Sequence, residues 1–296
     1  MTRACPQCGA REASVLASMD AATVVRGNDT YSPRALEILG LRGDERYSFV
    51  RCSTCGFVFA RELPDATFLA RLYGEVIDPA TAGYTSATPA WIAHQLELAA
   101  KLVKHATGQT RAVRMLDYGC GDGTVVAALN AAGIPCDGFE PHPRSIVETA
   151  RAHVRQTRDA LRAPYDAILL SDVIEHLPDP IAILHDCHEL LTDRGWIAVN
   201  VPDFGEARLN AILRGGTFPR DVNPWEHLNY FSPESLAAML ERAGFRVEPE
   251  PAPRFGLRGD TQGVGRIVNA MKSVQRMLRF VARPRLGTTT AFARKA

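Results

Sequence analysis

An acidic residue followed by three alternating glycines stands near the middle of the chain. The segment 115–123 reads Met-Leu-Asp-Tyr-Gly-Cys-Gly-Asp-Gly, and an amphipathic stretch that closes on Gly133 follows it. An apolar run, a glycine turn and a helix predict a strand-loop-helix unit, in which backbone amides at a helix N-terminus can meet a ligand. The candidate ligand-binding residues of this loop are Asp117, Gly119, Gly121 and Gly123.

The spacing of this loop restricts the ligand. A dinucleotide fingerprint would need its third glycine at Thr124, and a phosphate-binding P-loop would need a Lys-Ser or Lys-Thr pair that is absent. The Asp117 carboxylate would repel a pyrophosphate and attract an ammonium group. We therefore expect a cofactor without phosphate, and a plain tight turn is the alternative.

A second acidic residue follows at a suitable distance. The run 134–139 predicts a second strand, and Glu140 ends it. A carboxylate at this place in a mononucleotide-binding unit can accept both ribose hydroxyls.

The next buried strand, predicted over 165–170, leads into Ser-Asp-Val-Ile-Glu-His-Leu-Pro-Asp-Pro at 171–180. Together with the glycine loop, this segment resembles the class I S-adenosylmethionine-dependent methyltransferases. The resemblance implies S-adenosylmethionine as cofactor. It also implies further cofactor-side residues, namely Tyr84, Asp159, Ser171, Asp172 and His176. The alternatives are an exposed linker aromatic for Tyr84, a surface aspartate for Asp159 and a loop-ordering role for His176.

Four of the seven cysteines form two knuckles in the first 55 residues, Cys5-Pro-Gln-Cys8-Gly and Cys52-Ser-Thr-Cys55-Gly. Two such loops provide four thiolates, the donor set of a closed tetrahedral zinc site. We expect a structural zinc ion, and a pair of disulfides is the alternative.

A Glu-His pair lies ahead of a helix that Ser232 and Pro233 begin. The segment 225–233 resembles the active-site segment of sugar C-methyltransferases, which also carry an N-terminal four-cysteine module. The resemblance implies that His227 and Glu226 remove a proton, and histidine suits that task with an unperturbed pKa of about 6.5. A packing role for the segment is the alternative, and we expect the chain to lack the further domain of the sugar enzymes.

The helices and strands predicted from the rest of the sequence must position these residues. Helices are predicted over 91–104, 143–151 and 180–191, and strands over 154–161, 196–201, 245–250 and, antiparallel, 286–294. Strands and helices in alternation predict an α/β fold with a doubly wound sheet. The resemblance implies a seven-stranded Rossmann-like methyltransferase sheet, which a small N-terminal zinc-binding module would precede. Its ligands would lie at the carboxyl ends of the strands.

Three regions are expected. Residues 1–63 form the zinc module, 64–110 a helical linker that covers the cofactor, and 111–296 the methyltransferase domain. A basic amphipathic helix is expected at about 262–284, suited to docking on its own domain or to peripheral contact with an anionic surface.

Charge distinguishes the function classes. Residues 261–296 hold eight basic and no acidic side chains, which leaves a net charge of −7 on the rest because the whole chain carries +1. This distribution disfavours nucleic acid as a partner. We expect a cytoplasmic enzyme without a transmembrane segment that methylates a small polar metabolite, such as a sugar, a sugar nucleotide or a natural-product intermediate. An RNA methyltransferase with a zinc finger and a non-catalytic binding protein are the alternatives.

Overall fold

The computed structural model describes residues 2–77, 88–106, 113–143, 145–215, 222–249 and 287–296. The expected basic helix at 262–284 and Tyr84 lie outside these residues.

A seven-stranded sheet forms the larger layer of the molecule. Its strand order is β10-β11-β8-β7-β4-β5-β6. The strands are β4 (Met115–Tyr118), β5 (Cys136–Phe139), β6 (Val154–Arg155), β7 (Tyr165–Ser171), β8 (Leu191–Pro202), β10 (Phe245–Glu248) and β11 (Thr288–Lys295). Strands β4 to β8 pair in parallel, whereas β11 is antiparallel to both of its neighbours. This topology confirms the predicted fold class, including the antiparallel last strand.

Apolar sequence places β7 in the middle of the sheet. Its residues from Tyr165 to Leu170 are all buried, as expected for a parallel strand covered on both faces. Strands β4, β5 and β7 run parallel, so their carboxyl ends lie at the same edge of the sheet. The predicted site residues follow these ends.

A second, smaller sheet has the order β1-β2-β3-β9. It consists of β1 (Ala13–Asp20), β2 (Arg46–Cys52), β3 (Val58–Ala60) and β9 (Asn229–Tyr230). The last strand comes from the segment of Glu226 and His227, so the N-terminal region binds that segment directly.

The described helices cover the two sheets. They are α1 (Ala21–Arg26), α2 (Ala35–Leu39), α3 (Ala66–Arg71), α4 (Pro89–Ala106), α5 (Thr124–Ala131), α6 (Pro180–Leu190), α7 (Glu206–Gly215) and α8 (Pro233–Arg242). The Ser232 side chain accepts a hydrogen bond from the Ser235 backbone N–H, and the Ser235 hydroxyl accepts one from the Ser232 N–H. This capping box, with Pro233 in the first turn, fixes the start of α8.

Two predicted elements were wrong. In place of a helix over 143–151, the described residues of that stretch contain only a 3-10 turn, Glu148–Ala150. The prolines at 141 and 143 disfavour helical backbone at the residue before each of them. The strand predicted over 154–161 is only Val154–Arg155, because the following Gln-Thr-Arg-Asp run offers no apolar alternation to an edge strand.

One apolar core joins the N-terminal module to the large sheet. Phe57 and Phe59 pack in the same buried cluster as Leu170, Ile174 and Phe231. The Phe57 and Phe231 rings lie 5.2 Å apart at their centroids. Burial of these aromatic rings fixes the two layers against each other.

Candidate active site

The glycine loop follows β4 with a backbone that side chains disfavour. All three glycines have positive φ, at 79° for Gly119, 55° for Gly121 and 79° for Gly123. A Cβ on Gly119 would lie only 2.4 Å from Val173 Cγ2, whereas a Cβ on Gly121 would have no neighbour within 4 Å. The first glycine is thus required by close packing, while the second leaves open space beside the loop.

Asp117 is the penultimate residue of β4, just before this loop, and is buried. Burial, and to a smaller extent the Glu140 carboxylate, raises the pKa of Asp117 to about 7. A cationic group of a ligand near this carboxylate would favour its ionised form.

Glu140 follows β5 and approaches the same loop. Its carboxylate accepts hydrogen bonds from the Gly121 N–H at 3.3 Å and from the His142 N–H at 3.1 Å. Asp117, the glycines and Glu140 therefore come together at the carboxyl edge of the sheet, in the arrangement expected from their spacing.

Helix α4 holds the end of β7. Gln95 Nε2 donates a hydrogen bond to Ser171 Oγ at 2.9 Å, and Trp91 Nε1 donates one to Asp172 Oδ2 at 3.1 Å. Asp172 has a φ of 54°, the only positive value among the described non-glycine residues. Strained backbone of this kind is concentrated at functional sites.

Two predicted cofactor residues are not joined to this group in the described structure. Asp159 is exposed on a 3-10 turn, Arg158–Ala160, and no described hydrogen bond or ion pair connects it to the glycine loop. Tyr84 lies outside the described residues. Their roles remain predictions.

His176 and His227 lie face to edge beside the end of β7, with ring centroids 4.6 Å apart. The His176 Nδ1–H donates to the backbone oxygen of Glu226 at 2.9 Å. Burial lowers the pKa of His176, so the neutral ring is favoured. His176 thus contacts the segment of Glu226 and His227 rather than standing alone on its loop.

The Glu226 carboxylate is bound by the N-terminal module. Its Oε1 accepts hydrogen bonds from the Tyr31 hydroxyl at 2.6 Å, from Asn223 Nδ2 at 2.9 Å and from Asn28 Nδ2 at 3.2 Å. Such a network fixes the carboxylate in place. This geometry suits Glu226 to fixing the position of the segment that carries His227.

The four cysteines of the two knuckles converge. Sγ of Cys5 is 3.6 Å from Sγ of Cys55, and Sγ of Cys8 is 3.5 Å from Sγ of Cys52. All four sulfurs lie within 4.8 Å of one another. Zinc with Zn–S bonds of about 2.3 Å sets the sulfurs of a tetrahedral site about 3.8 Å apart. The cluster fits one zinc ion, and the sulfurs are well beyond the disulfide bond length of about 2.05 Å.

Sequence reasoning missed the residues that support the site. Tyr31, Asn28 and Asn223 carry no motif, and only the tertiary fold brings them to Glu226. Gln95 did leave a signal, because it is a polar residue on the buried face of α4, beside Leu98 and Leu102. A buried amide on an apolar face requires a hydrogen-bond partner.

Within the described ranges, no helix combines the length and the apolar character needed to cross a membrane.

Comparison with known proteins gave a family match and distant relatives. A family described as "Methyltransferase domain" matches residues 90–250. A ubiquinone biosynthesis O-methyltransferase of Xylella fastidiosa is 28% identical over 159 residues, which cover 48% of this chain and 64% of the relative. The chain therefore matches less than two thirds of that relative's length.

Two solved structures are also similar. A Burkholderia thailandensis 1,6-didemethyltoxoflavin-N1-methyltransferase, with bound 1,6-didemethyltoxoflavin and S-adenosylhomocysteine, has 16% identity and a TM-score of 0.47 over 82% of this chain and 97% of its own. The magnesium protoporphyrin IX methyltransferase of Synechocystis PCC 6803, with bound S-adenosylhomocysteine, has 16% identity and a TM-score of 0.45, covering 76% and 92%.

Proposed function

The chain belongs to the methyltransferase-domain family, and on that premise we propose that it transfers the methyl group of S-adenosylmethionine to a small polar metabolite. The observation that carries the proposal is the convergence of Asp117, the three glycines and Glu140 at one edge of a parallel sheet. A sugar, a sugar nucleotide or a natural-product intermediate is the proposed acceptor class.

Each part of the cofactor has a proposed partner. Asp117 lies where a carboxylate would attract the ammonium of the methionine end. The Glu140 carboxylate, which accepts the Gly121 N–H, would exchange that weak bond for the ribose hydroxyls. Ser171 and Asp172 stand on the neighbouring strand end, beside the glycine loop.

The fold would hold the sulfonium methyl in line with an acceptor atom, so that proximity supplies most of the rate. His227 is proposed to take up the acceptor's proton, since its ring packs against His176, which follows the carboxyl end of β7. Glu226, bound by Tyr31 and two asparagines, is proposed as a positioning residue for His227.

The four cysteines are proposed to bind a structural zinc ion. Four thiolates leave no open coordination position, so the ion would stabilise the N-terminal module without taking part in methyl transfer.

The test is transfer of label from methyl-labelled S-adenosylmethionine to a cell extract that is then separated into small-molecule, RNA and protein fractions. We expect label in the small-molecule fraction, and its loss with His227→Ala while calorimetry shows unchanged cofactor affinity. Label in RNA would establish the rival RNA methyltransferase instead. A chain that fails to bind S-adenosylmethionine would contradict the proposal.

A further inference from the structure

Three donor side chains meet just beyond the carboxyl end of β7. They are Glu175, His176 and His227, and one ligand atom from each lies within 4.8 Å of the other two. The first two follow β7 in sequence, while His227 arrives on the segment that the small sheet holds. The tertiary fold therefore assembles this cluster from two distant parts of the chain.

The hydrogen bond of His176 fixes the direction of its free lone pair. A carbonyl oxygen only accepts, so the bond from Nδ1 to the Glu226 oxygen requires the proton on Nδ1. In the neutral ring Nε2 then carries a lone pair, and Nε2 lies 3.9 Å from Glu175 Oε1. A histidine that binds a metal through one ring nitrogen commonly donates the N–H of its other ring nitrogen to a backbone carbonyl. His176 meets this condition for binding a metal through Nε2.

The buried carboxyl group of Glu175 is the second indication that an ion or ligand binds here. The Glu175 side chain is 2% exposed, and neither carboxyl oxygen has a hydrogen-bond partner among the described residues. A buried carboxyl group without partners is costly, and such a group in a native protein calls for a missing ion or ligand.

We propose that Glu175, His176 and His227 bind a divalent transition-metal cation. The separation of 3.9 Å between Nε2 and Oε1 is too long for a hydrogen bond. Two ligands of one ion, each about 2.1 Å from it, stand about 3 to 4.2 Å apart. Two imidazoles and one carboxylate favour manganese, iron, cobalt or zinc over magnesium and calcium.

The position of the cluster gives the cation a role in methyl transfer, and this part of the inference rests on the proposed function. Val173, two residues before Glu175, packs on Gly119 of the cofactor loop. The segment that supplies Glu175 and His176 therefore contacts the cofactor loop, and we infer that a cation at the cluster would act on the acceptor.

There it would bind an acceptor hydroxyl and lower its pKa, which specifies an oxygen acceptor. The hydroxyl proton leaves to solvent, and the oxygen attacks the methyl carbon. The carbon–sulfur bond breaks with its electron pair returning to sulfur, which yields S-adenosylhomocysteine.

With the cation bound, His227 acts as its ligand, and the general-base role proposed above applies to the chain without the cation, because one ring nitrogen cannot both bind the cation and accept the acceptor's proton. Metal binding distinguishes the two roles without any substrate.

The experiment is a titration with Mn²⁺ of protein that carries one equivalent of zinc, the amount that the four cysteines take, and it is monitored by the loss of the free-ion electron paramagnetic resonance signal. We expect one Mn²⁺ per chain, and a loss of affinity of about tenfold or more with Glu175→Gln or His227→Asn. Matched controls are Glu189→Gln and His185→Asn, which change exposed residues on α6 and should bind Mn²⁺ as the wild type does.

Calorimetric binding of S-adenosylhomocysteine reports independently that each variant is folded and that the cofactor site works. If Glu175→Gln does not fold, His176→Gln takes its place. Unchanged Mn²⁺ affinity in the cluster variants would overturn the inference, as would a wild-type chain that binds no cation beyond the one at its four cysteines. Either result would leave the proposed methyltransferase function standing.

Discussion

Asp117 is a buried carboxyl group whose position disfavours its own charge. Its pKa is about 7 in the folded chain, against about 3.9 for an unfolded aspartate. The folded chain therefore holds a proton that the unfolded chain has lost between these two values. The stability of the ligand-free protein should fall as the pH rises from 4 to 7, and the full penalty should remain above pH 7.

We predict that Asp117→Asn stabilises the ligand-free protein above pH 7 while it weakens cofactor binding. Removal of the buried charge should raise the free energy of unfolding by roughly 2 kcal/mol or more at pH 8, and by much less at pH 5, as measured by urea denaturation. Asp193→Asn, at an exposed position, is the control and should give no such pH-dependent gain. An equal effect of Asp117→Asn at both pH values would disprove a raised pKa.

At the scale of elements, the small sheet positions the segment that carries His227. Strand β9 pairs with β3, and the Leu228 N–H donates to the Glu175 backbone oxygen at 2.7 Å. Tyr31 reaches the same segment through Glu226. The segment is thus held from the N-terminal module on one side and from the end of β7 on the other.

We predict that Tyr31→Phe lowers turnover several-fold at unchanged cofactor affinity. Loss of the hydroxyl removes its hydrogen bond to Glu226 Oε1, which should also cost about 1 to 2 kcal/mol of stability. Tyr165→Phe is the matched control, because its hydroxyl donates to Asp137 Oδ2 at 3.0 Å at the other end of β7. It should lower stability without affecting turnover. If both variants reduced turnover equally, the effect of Tyr31 would reflect stability alone.

The sequence was sufficient for the elements whose signals are local. The buried run of β7, the glycine turn after β4 and the cap of α8 all depend on neighbouring residues, and the structure has each of them. The pairing of β9 with β3 left no such trace, since two residues carry no periodicity. The same limit applies to Glu175 and His227, whose proximity depends on a contact between residues about 50 positions apart.

At the scale of the whole molecule, the module that carries the four cysteines and the large sheet share one core. Cys5 and Cys52 are buried in the cluster that contains Leu170 and Ile174. Elements that share a core unfold together. The module therefore does not behave as an appended domain in this structure.

We predict a single thermal transition for the zinc-loaded protein, and a lower midpoint after treatment with a chelator. Cys55→Ser tests the metal without a packing defect, because Cys55 is the exposed ligand. The variant should start at the lowered midpoint and should not respond to the chelator. Two separate transitions, with the second one insensitive to zinc, would show that the module folds independently.

Strand β9 is synthesised long after the other strands of its sheet, and this delay affects folding during translation. Both cysteine knuckles and the first three strands of the small sheet are complete by Ala60, but the partner of β3 begins at Asn229. At the usual pace of translation, roughly 10 to 30 s separate the two. During that interval the outer edge of β3 is an unpaired strand edge that can pair with another nascent chain. Polysomes that make this protein should therefore depend on a chaperone that covers short apolar segments such as Phe57 to Ala60.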